Sequence, residues 1–214
     1  GQVLFVAPIE AARNPVVFAR ARAVAALPVG TLAAIGAVRA RSSVAEAIIQ
    51  VPLGVSSVTL GLGFLVTMDA PPLNLRGSPA LVVIAHSLIA VPFVARTVAA
   101  RLRNLDPRLR DAAAMLGAGP FRTFFAVEAP LLKGAIGVAA VLSFATSMGE
   151  FGATLLISRP EYPTIPVAIF RYLGQPGALN YGQALAMSTV LMAVTATTFF
   201  LADRIAGGRT GGFS

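Results

Sequence analysis

Long uncharged runs of apolar residues constrain this chain more than any other feature of its sequence. Four runs reach or approach the length of a membrane-spanning helix: residues 47–68, 77–95, 134–149 with an extension past Glu150 to 158, and 183–202. Crossing the hydrocarbon core takes about 20 apolar residues of helix. The runs show no polar face at helical spacing, which a surface helix of a soluble protein would show. The sequence therefore predicts an all-α fold, a polytopic helix bundle in a lipid bilayer.

A fifth run, residues 23–38, is weaker as a span. It is short, and Arg20 and Arg22 stand where its first turn should lie. It can cross the membrane only if residues 16–21 join the helix and the two arginines snorkel or face protein. We expect this to happen, and so predict about five transmembrane helices.

Charged residues make up only 12% of the chain, against about 25% in soluble domains, and their distribution is uneven. The segments that alternate spans place on one side hold Arg39, Arg41, Arg96, Arg101, Arg103, Arg108, Arg110, Arg122, Lys133, Arg204 and Arg209, and the opposite loops hold Arg76, Arg159 and Arg171. Because positive residues mark cytoplasmic loops, we expect the amino end outside and the carboxyl end in the cytoplasm. The arginines are not interleaved with stacking aromatic residues, so we expect no nucleic-acid partner.

The two ends of the chain are expected to lie outside the membrane domain, which we place at residues 16–206. Residues 207–214 would form a flexible cytoplasmic tail. Residues 1–15 would be periplasmic or would continue a longer chain, because the sequence starts at Gly1 and shows no signal-peptide pattern. A short apolar helix is predicted at residues 166–173, in the second outer loop, and is interfacial or re-entrant because it is too short to span.

Residues 104–130 interrupt the apolar runs with a polar, arginine-rich stretch. Asp106 and Pro107 are typical of a helix start, and Gly117 is typical of a helix end. A second short helix is predicted to start at Pro120 and to end before Pro130, and its inner stripe would consist of Phe121, Phe124 and Phe125. Physical reasoning leaves two interpretations open: the stretch packs beneath its own membrane domain, or it contacts a partner protein.

The sequence DAAAMLGAGPFRTFFAVEAP, residues 111–130, resembles the cytoplasmic coupling loop, or EAA loop, of ABC importer permeases of type I. That pattern is Glu-Ala-Ala, three residues, Gly, nine residues, an aliphatic residue, any residue, Leu and Pro. The matching positions are Asp111, Ala112, Ala113, Gly117, Val127 and Pro130. Asp111 replaces the usual Glu, and Ala129 replaces the usual Leu.

The resemblance extends over nearly all of the chain from about Val51. The segment from SMGEFGATLLISRP onward is similar to permeases of the ferric iron and thiamine class, whereas sulfate, molybdate and polyamine permeases share less of it. Uptake of ferric iron or thiamine is therefore the implied activity, and an oxyanion such as sulfate or molybdate, or a polyamine, is the alternative.

The resemblance also implies partners. The chain would be a non-catalytic subunit that binds no cofactor or metal ion directly, with ATP hydrolysed on cytoplasmic ABC ATPase subunits; it contains no G-x-x-x-x-G-K-[ST] phosphate loop. A second permease domain, as a homodimer or a fused half, and a periplasmic or lipid-anchored substrate-binding protein would complete the complex. Carried over by position, the ATPase-docking residues are Arg110, Asp111, Ala112, Ala113, Gly117, Arg122 and Pro130.

Several polar residues within the spans are candidates for the substrate pathway or its gate. An ionised carboxylate in hydrocarbon costs about 2.5 to 3.5 kcal/mol, so Glu150 must face protein, water or the pore. It either attracts a cationic substrate or has a structural role, capping the next helical segment or pairing with Arg159 or Arg171. The other candidates, for which internal hydrogen bonding or helix packing is the alternative, are His86, Ser143, Thr146 and Ser147.

Two rival classes fit the sequence poorly. An intramembrane protease needs paired catalytic groups within its spans, but the chain has a single histidine and its spans hold no aspartate beyond the edge residue Asp69. An ATP-independent channel or carrier leaves the loop at residues 104–130 unexplained. The chain has no cysteine, which excludes disulfides and thiolate metal sites.

Overall fold

The computed structural model describes residues 8–69, 75, 78–158 and 163–207, with side chains described between residues 24 and 205 of those ranges. Within them the fold is all-helical, as predicted. The α-helices are α1 Pro8–Ala40, α2 Ser43–Gln50, α3 Ser57–Thr67, α4 Pro79–Arg103, α5 Arg108–Met115, α6 Pro120–Thr123, α7 Ala129–Met148, α8 Gly152–Ile157, α9 Ile165–Leu173 and α10 Ala178–Gly207. Arg76, Arg159 and Arg209 lie outside the described residues.

Three described helices are long and apolar enough to cross a membrane: Pro79–Arg103, Pro120–Met148 and Ala178–Ile205. The bent pair α2–α3 makes a fourth if it counts as one span. Helix α1 does include residues 16–21, as predicted, but its described apolar part, Val24–Ala40, is shorter than these spans. Helix α4 continues beyond the run that ends at residue 95, so the loop that follows it starts only at Asn104.

The prediction of one continuous span at residues 47–68 is wrong, because the chain forms two helices there that meet at 93°. Pro52 lies in the first turn of a short 3-10 helix, Val51–Gly54. After it, Val55 has φ −103° and ψ 136°, and Ser56 has ψ 135°. A proline lacks the N–H that would continue the helical ladder. The chain therefore changes direction before α3 begins.

The predicted helix end before Pro130 is also wrong. The chain runs from Pro120 to Met148 as one helix of 29 residues. Its segment Phe124–Glu128 is a π-helical turn, in which the Ala129 N–H donates to the Phe124 carbonyl. A proline inside an α-helix clashes with the carbonyl four residues earlier, and the wider π turn accommodates it while keeping the backbone hydrogen-bonded.

The core is formed by α1, α4 and α7. Its buried residues are Ala34, Ile35, Val94, Ala95, Val98, Ala99, Leu102, Leu132 and Ala139. Many of them are small, which lets membrane helices approach closely. The same holds where α1 crosses α4, because a Cβ on Gly30 would lie 2.6 Å from Cβ of Val94.

The remaining helices pack around this core. Helix α8 lies against α3 so closely that a Cβ on Gly61 would be 2.7 Å from the Cα of Ala153. Helix α9, at the position predicted for the short helix, packs on α10 through Ile165, Ala168 and Met187. The continuous helix Pro120–Met148 leads from the loop at its amino end to α8, which packs against α3.

Candidate docking helix and pathway residues

Helix α5 forms where the sequence predicts it. Oδ1 of Asp106 accepts a hydrogen bond of 2.9 Å from the Arg108 N–H at its start. At its end Gly117 adopts φ +74°, and the Ala118 N–H donates to the Ala113 carbonyl at 3.0 Å. A glycine in the left-handed region with such a bond is a common helix stop. Both predicted ends of the helix are therefore confirmed.

Four large apolar residues are exposed at the end of α5 and just after it, among exposed charged residues. The side chains of Met115, Leu116 and Phe121 are 88%, 86% and 82% exposed, and Phe125 is exposed as well. We call these four residues the apolar rim. The prediction that Phe121 and Phe125 lie on an inner stripe is therefore wrong, and Phe124 is the phenylalanine of this stretch that packs on the core. The π turn that begins at Phe124 has more residues per turn than an α-helix, so it breaks the spacing on which the stripe was predicted.

The predicted docking residues differ in burial. Exposed residues are Asp111, Ala112, Gly117, Arg122 and Pro130. Ala113 is the one buried residue of α5. The exposed positions lie in the same stretch of sequence as the apolar rim.

Arg110 does not project as a free rim residue. Its Nε pairs with Oε1 of Glu128, and Nη2 of Arg39 donates to Oε2 of Glu128 at 2.7 Å. The Glu128 side chain is 1% exposed, whereas both arginines are half-exposed. We call Arg39, Arg110 and Glu128 the buried ion cluster. It joins the last turn of α1, the first turn of α5 and the π turn before α7.

Sequence reasoning missed Glu128 and the role of Arg39. Glu128 stands at the position of the family pattern where any residue is allowed, so the pattern gave it no weight. A signal was present nonetheless, because Glu128 is an isolated acid in the apolar segment FFAVEAP. Buried acids of this kind need a cation or hydrogen-bond donors.

A second ion pair at the same end of the molecule provides a contrast. Glu46 of α2 pairs with Arg103 of α4. The two side chains are 37% and 51% exposed, so water screens this pair. Its contribution to stability is therefore expected to be small.

Glu150 lies in the break between α7 and α8 and is half-buried. Its Oε1 accepts a hydrogen bond of 3.0 Å from the Ala153 N–H, which satisfies a free donor at the start of α8. The structure therefore contains the capping contact named as the structural alternative for Glu150, and Arg159 lies outside the described residues.

The other pathway candidates are held within the chain. His86 is buried, and its Nε2 is 2.6 Å from Oγ1 of Thr154 in α8. Ser143 and Ser147 are buried. The Thr146 hydroxyl donates to the Leu142 carbonyl at 3.0 Å, a bond that satisfies the hydroxyl locally. The contacts of His86 and Thr146 are of the internal kind named as the alternative, and a pathway role for the four residues stays a prediction.

Comparisons with known proteins agree with the resemblance of the loop. Residues 26–209 match the family described as binding-protein-dependent transport system inner membrane component. The chain is 33% identical over 159 residues to a putative 2-aminoethylphosphonate transport system permease protein, PhnV, of Salmonella typhimurium, covering 74% of this chain and 59% of that protein. It is 34% identical over 115 residues to the molybdenum transport system permease protein ModB of Haemophilus influenzae, covering 52% and 50%.

A solved structure extends the comparison to the fold. The MetNI methionine ABC transporter, in inward-facing conformations, matches with a TM-score of 0.70 and 19% identity, over 93% of this chain and 92% of that chain. At this identity the match concerns the fold alone. The chain spans only 59% and 50% of the two relatives. Neither relative is named for ferric iron or thiamine, so that assignment stays a prediction.

Proposed function

The chain belongs to the family of binding-protein-dependent transport system inner membrane components, and from this premise we propose that it is the permease subunit of an ATP-binding-cassette importer. In the proposed complex two such membrane domains form the pathway. Cytoplasmic ATPase subunits hydrolyse ATP, and a periplasmic or lipid-anchored binding protein delivers the solute. The chain itself binds no nucleotide in this proposal.

The observation that carries the proposal is the apolar rim beside α5. This short helix has a side-chain hydrogen bond at its start and a left-handed glycine after its end. Large apolar side chains exposed together are a mark of protein interaction sites. Met115 and Leu116 lie at the carboxyl end of α5 and are almost fully exposed. We propose that the ATPase subunit covers them and that Asp111, Ala112, Gly117, Arg122 and Pro130 border the seat.

The ion pairs support a cytoplasmic position for this surface. The buried ion cluster and the pair between Glu46 and Arg103 bring the ends of α1 and α4 together with α2 and α5. These segments hold much of the positive charge of the chain. Because cytoplasmic segments carry the excess of arginine and lysine, we propose that α5 faces the cytoplasm, with the carboxyl end on that side and the amino end outside.

For the substrate, we propose a phosphonate or an oxyanion such as molybdate. The two relatives are named for 2-aminoethylphosphonate and molybdenum, which favours the oxyanion alternative over ferric iron or thiamine.

The docking proposal is tested with Leu116→Glu. The chain is purified in mild detergent from cells that also produce its ATPase subunit, identified by its phosphate-loop sequence, and the retained ATPase and its ATP hydrolysis are measured. Because Leu116 is 86% exposed, the substitution should leave the fold intact and remove the ATPase. The matched control is Gly119→Ala in the same loop, where an added Cβ meets nothing within 4 Å. Normal ATPase retention by Leu116→Glu would contradict the proposal.

The substrate proposal is tested by uptake. Cells with and without the chain are given molybdate, sulfate, 2-aminoethylphosphonate, ferric iron or thiamine as the limiting source, and accumulation is measured. Cells without the chain are expected to lose accumulation of one of the three anions and to accumulate the other solutes normally. Loss of iron or thiamine accumulation instead would restore the first prediction from the resemblance.

A further inference from the structure

We propose that Glu128 is a positioning residue for coupling. Its carboxylate fixes the docking helix α5 to the end of α1 and to the start of α7, so that these three segments move together when a partner pushes on α5. The inference rests on the proposed function and deepens it, because it names the internal contact through which a push on the loop reaches the spans.

The first support is the placement of the carboxylate. The Glu128 side chain is 1% exposed, and each of its oxygens contacts a different arginine from a different segment. Arg39 lies in the last turn of α1, and Arg110 lies in the first turn of α5. One small planar group therefore fixes the position of both segments relative to Glu128.

The second support is the chemistry of the contact. A buried ion pair contributes little net stability, because desolvation of the charges offsets their attraction. Its best-attested use is to specify one arrangement of the elements that it joins. Apolar contacts are non-directional and would allow α5 to slide, whereas a charge-assisted hydrogen bond from Arg39 to one carboxylate oxygen and an ion pair of Arg110 with the other allow few geometries.

The third support is the backbone at Glu128. Glu128 is the last residue of the π turn, and Ala129 begins α7. Below it, α7 continues without interruption to Met148. A displacement of Glu128 is therefore a displacement of the start of a membrane-spanning helix, which is the kind of rigid-body movement that interfaces transmit.

The inference does not extend to every ion pair at this end. Glu46 and Arg103 also join two helices, but the Glu46 side chain is 37% exposed, whereas that of Glu128 is 1% exposed. Water can replace each partner, so this pair should not fix α2 to α4. It provides a control with the same residue types.

The first experiment measures position in the full chain alone, in detergent or nanodiscs. Because the sequence has no cysteine, spin labels can be placed at Ala40→Cys and Met115→Cys, exposed sites at the ends of α1 and α5. A single narrow distance distribution is expected for the otherwise unchanged chain and for Glu46→Gln. Glu128→Gln, which keeps the size and removes the charge, should broaden it. An unchanged distribution in Glu128→Gln would overturn the inference.

The second experiment measures coupling in the complex with its ATPase subunits. Glu128→Gln should retain the ATPase at the wild-type ratio but lower the solute taken up per ATP hydrolysed by about five- to tenfold, the lower part of the range of coupling between sites. Glu46→Gln should leave this ratio unchanged. A merely structural role would reduce ATPase retention and uptake together, and that outcome, or an unchanged ratio, would count against the inference.

Arg39→Gln keeps the proposal testable if Glu128→Gln does not fold, because the Arg39 side chain is half-exposed. It should produce the same broadening of the distance distribution. The double variant Arg39→Gln/Glu128→Gln should show no more broadening than either single variant, as for residues that act through one contact. Additive losses would overturn the inference. Absence of any ATPase partner would instead contradict the proposed function and leave the distance measurement valid.

Discussion

The two ends of α7 each carry a glutamate beside an interruption of the helix, and the two are used differently. Glu128 ends the π turn that precedes α7 and contacts Arg39, which is 89 residues away in sequence. Glu150 follows α7 and contacts the backbone of Ala153, three residues further on. The first joins separate segments, and the second completes the start of the next helix.

The difference follows from burial. Glu128 is almost wholly removed from water, so it needs cations, and these come from distant parts of the chain. Glu150 is half-buried, and one backbone donor together with water can satisfy it. Changes at Glu128 should therefore alter the arrangement of segments, whereas changes at Glu150 should remain local.

The largest effect is expected when both arginines that contact Glu128, Arg39 and Arg110, are replaced. Arg39→Gln with Arg110→Gln leaves the Glu128 carboxylate buried without a cation, which should cost about 3 to 5 kcal/mol in the free energy of unfolding. Adding Glu128→Gln should recover most of that loss, because it removes the buried charge. Unfolding by sodium dodecyl sulfate in mixed micelles measures all three variants. A triple variant as unstable as the double one would show that the charge is not the cause.

At the carboxyl end of α7, the position of α8 is expected to depend on its close approach to α3. Gly61→Ala would bring a Cβ within 2.7 Å of the Cα of Ala153, so it should cost about 1 to 3 kcal/mol through overpacking. In Gly63→Ala, two residues along the same helix, the added Cβ meets nothing within 4 Å, so stability should rise by about 0.5 to 1 kcal/mol. Equal effects in thermal unfolding would mean that the α3–α8 crossing does not depend on close backbone approach.

Glu150→Ala tests the local role directly. Loss of the contact with the Ala153 N–H should cost about 1 kcal/mol, as for other helix caps, with Glu150→Gln retaining an acceptor and losing less. Uptake should follow the amount of folded protein. If uptake disappeared while the thermal midpoint stayed near that of the wild type, Glu150 would belong to the pathway.

The smallest effect is expected for the exposed pair. Glu46→Gln should change the free energy of unfolding by about 0 to 1 kcal/mol, and less at high salt. If Glu46→Gln lowered the free energy of unfolding as much as the double arginine variant does, burial would not explain the difference between the two ion pairs.

Much of the fold could be predicted from local patterns. The helix at residues 108–115 follows from Asp106 and Gly117, because a cap and a left-handed glycine act within a few residues. The break at Val55 and the π turn at Phe124 could not be predicted in this way. Prolines in apolar runs are tolerated in membrane helices, so Pro52 and Pro130 do not by themselves tell whether a helix bends, widens or stops.

The candidate site was predictable to a different degree. The loop pattern predicts the docking positions, and their role stays a prediction. It does not predict the exposure of Phe121 and Phe125, because apolar residues are usually buried in their own chain. The buried ion cluster could not be predicted, since Arg39 and Glu128 come together only through the packing of α1 against α4 and α7. The isolated Glu128 indicates that a buried acid needs a partner, but no local sequence pattern tells which arginines supply it.

The apolar rim also has a consequence for the life of the subunit before assembly. A newly made chain that has not met a partner presents Met115, Leu116 and Phe121 to water, and such a patch favours aggregation and capture by chaperones and proteases. If an ATPase subunit covers this patch, as proposed, its supply determines how long each copy of the chain survives, and surplus copies are degraded without any dedicated regulator.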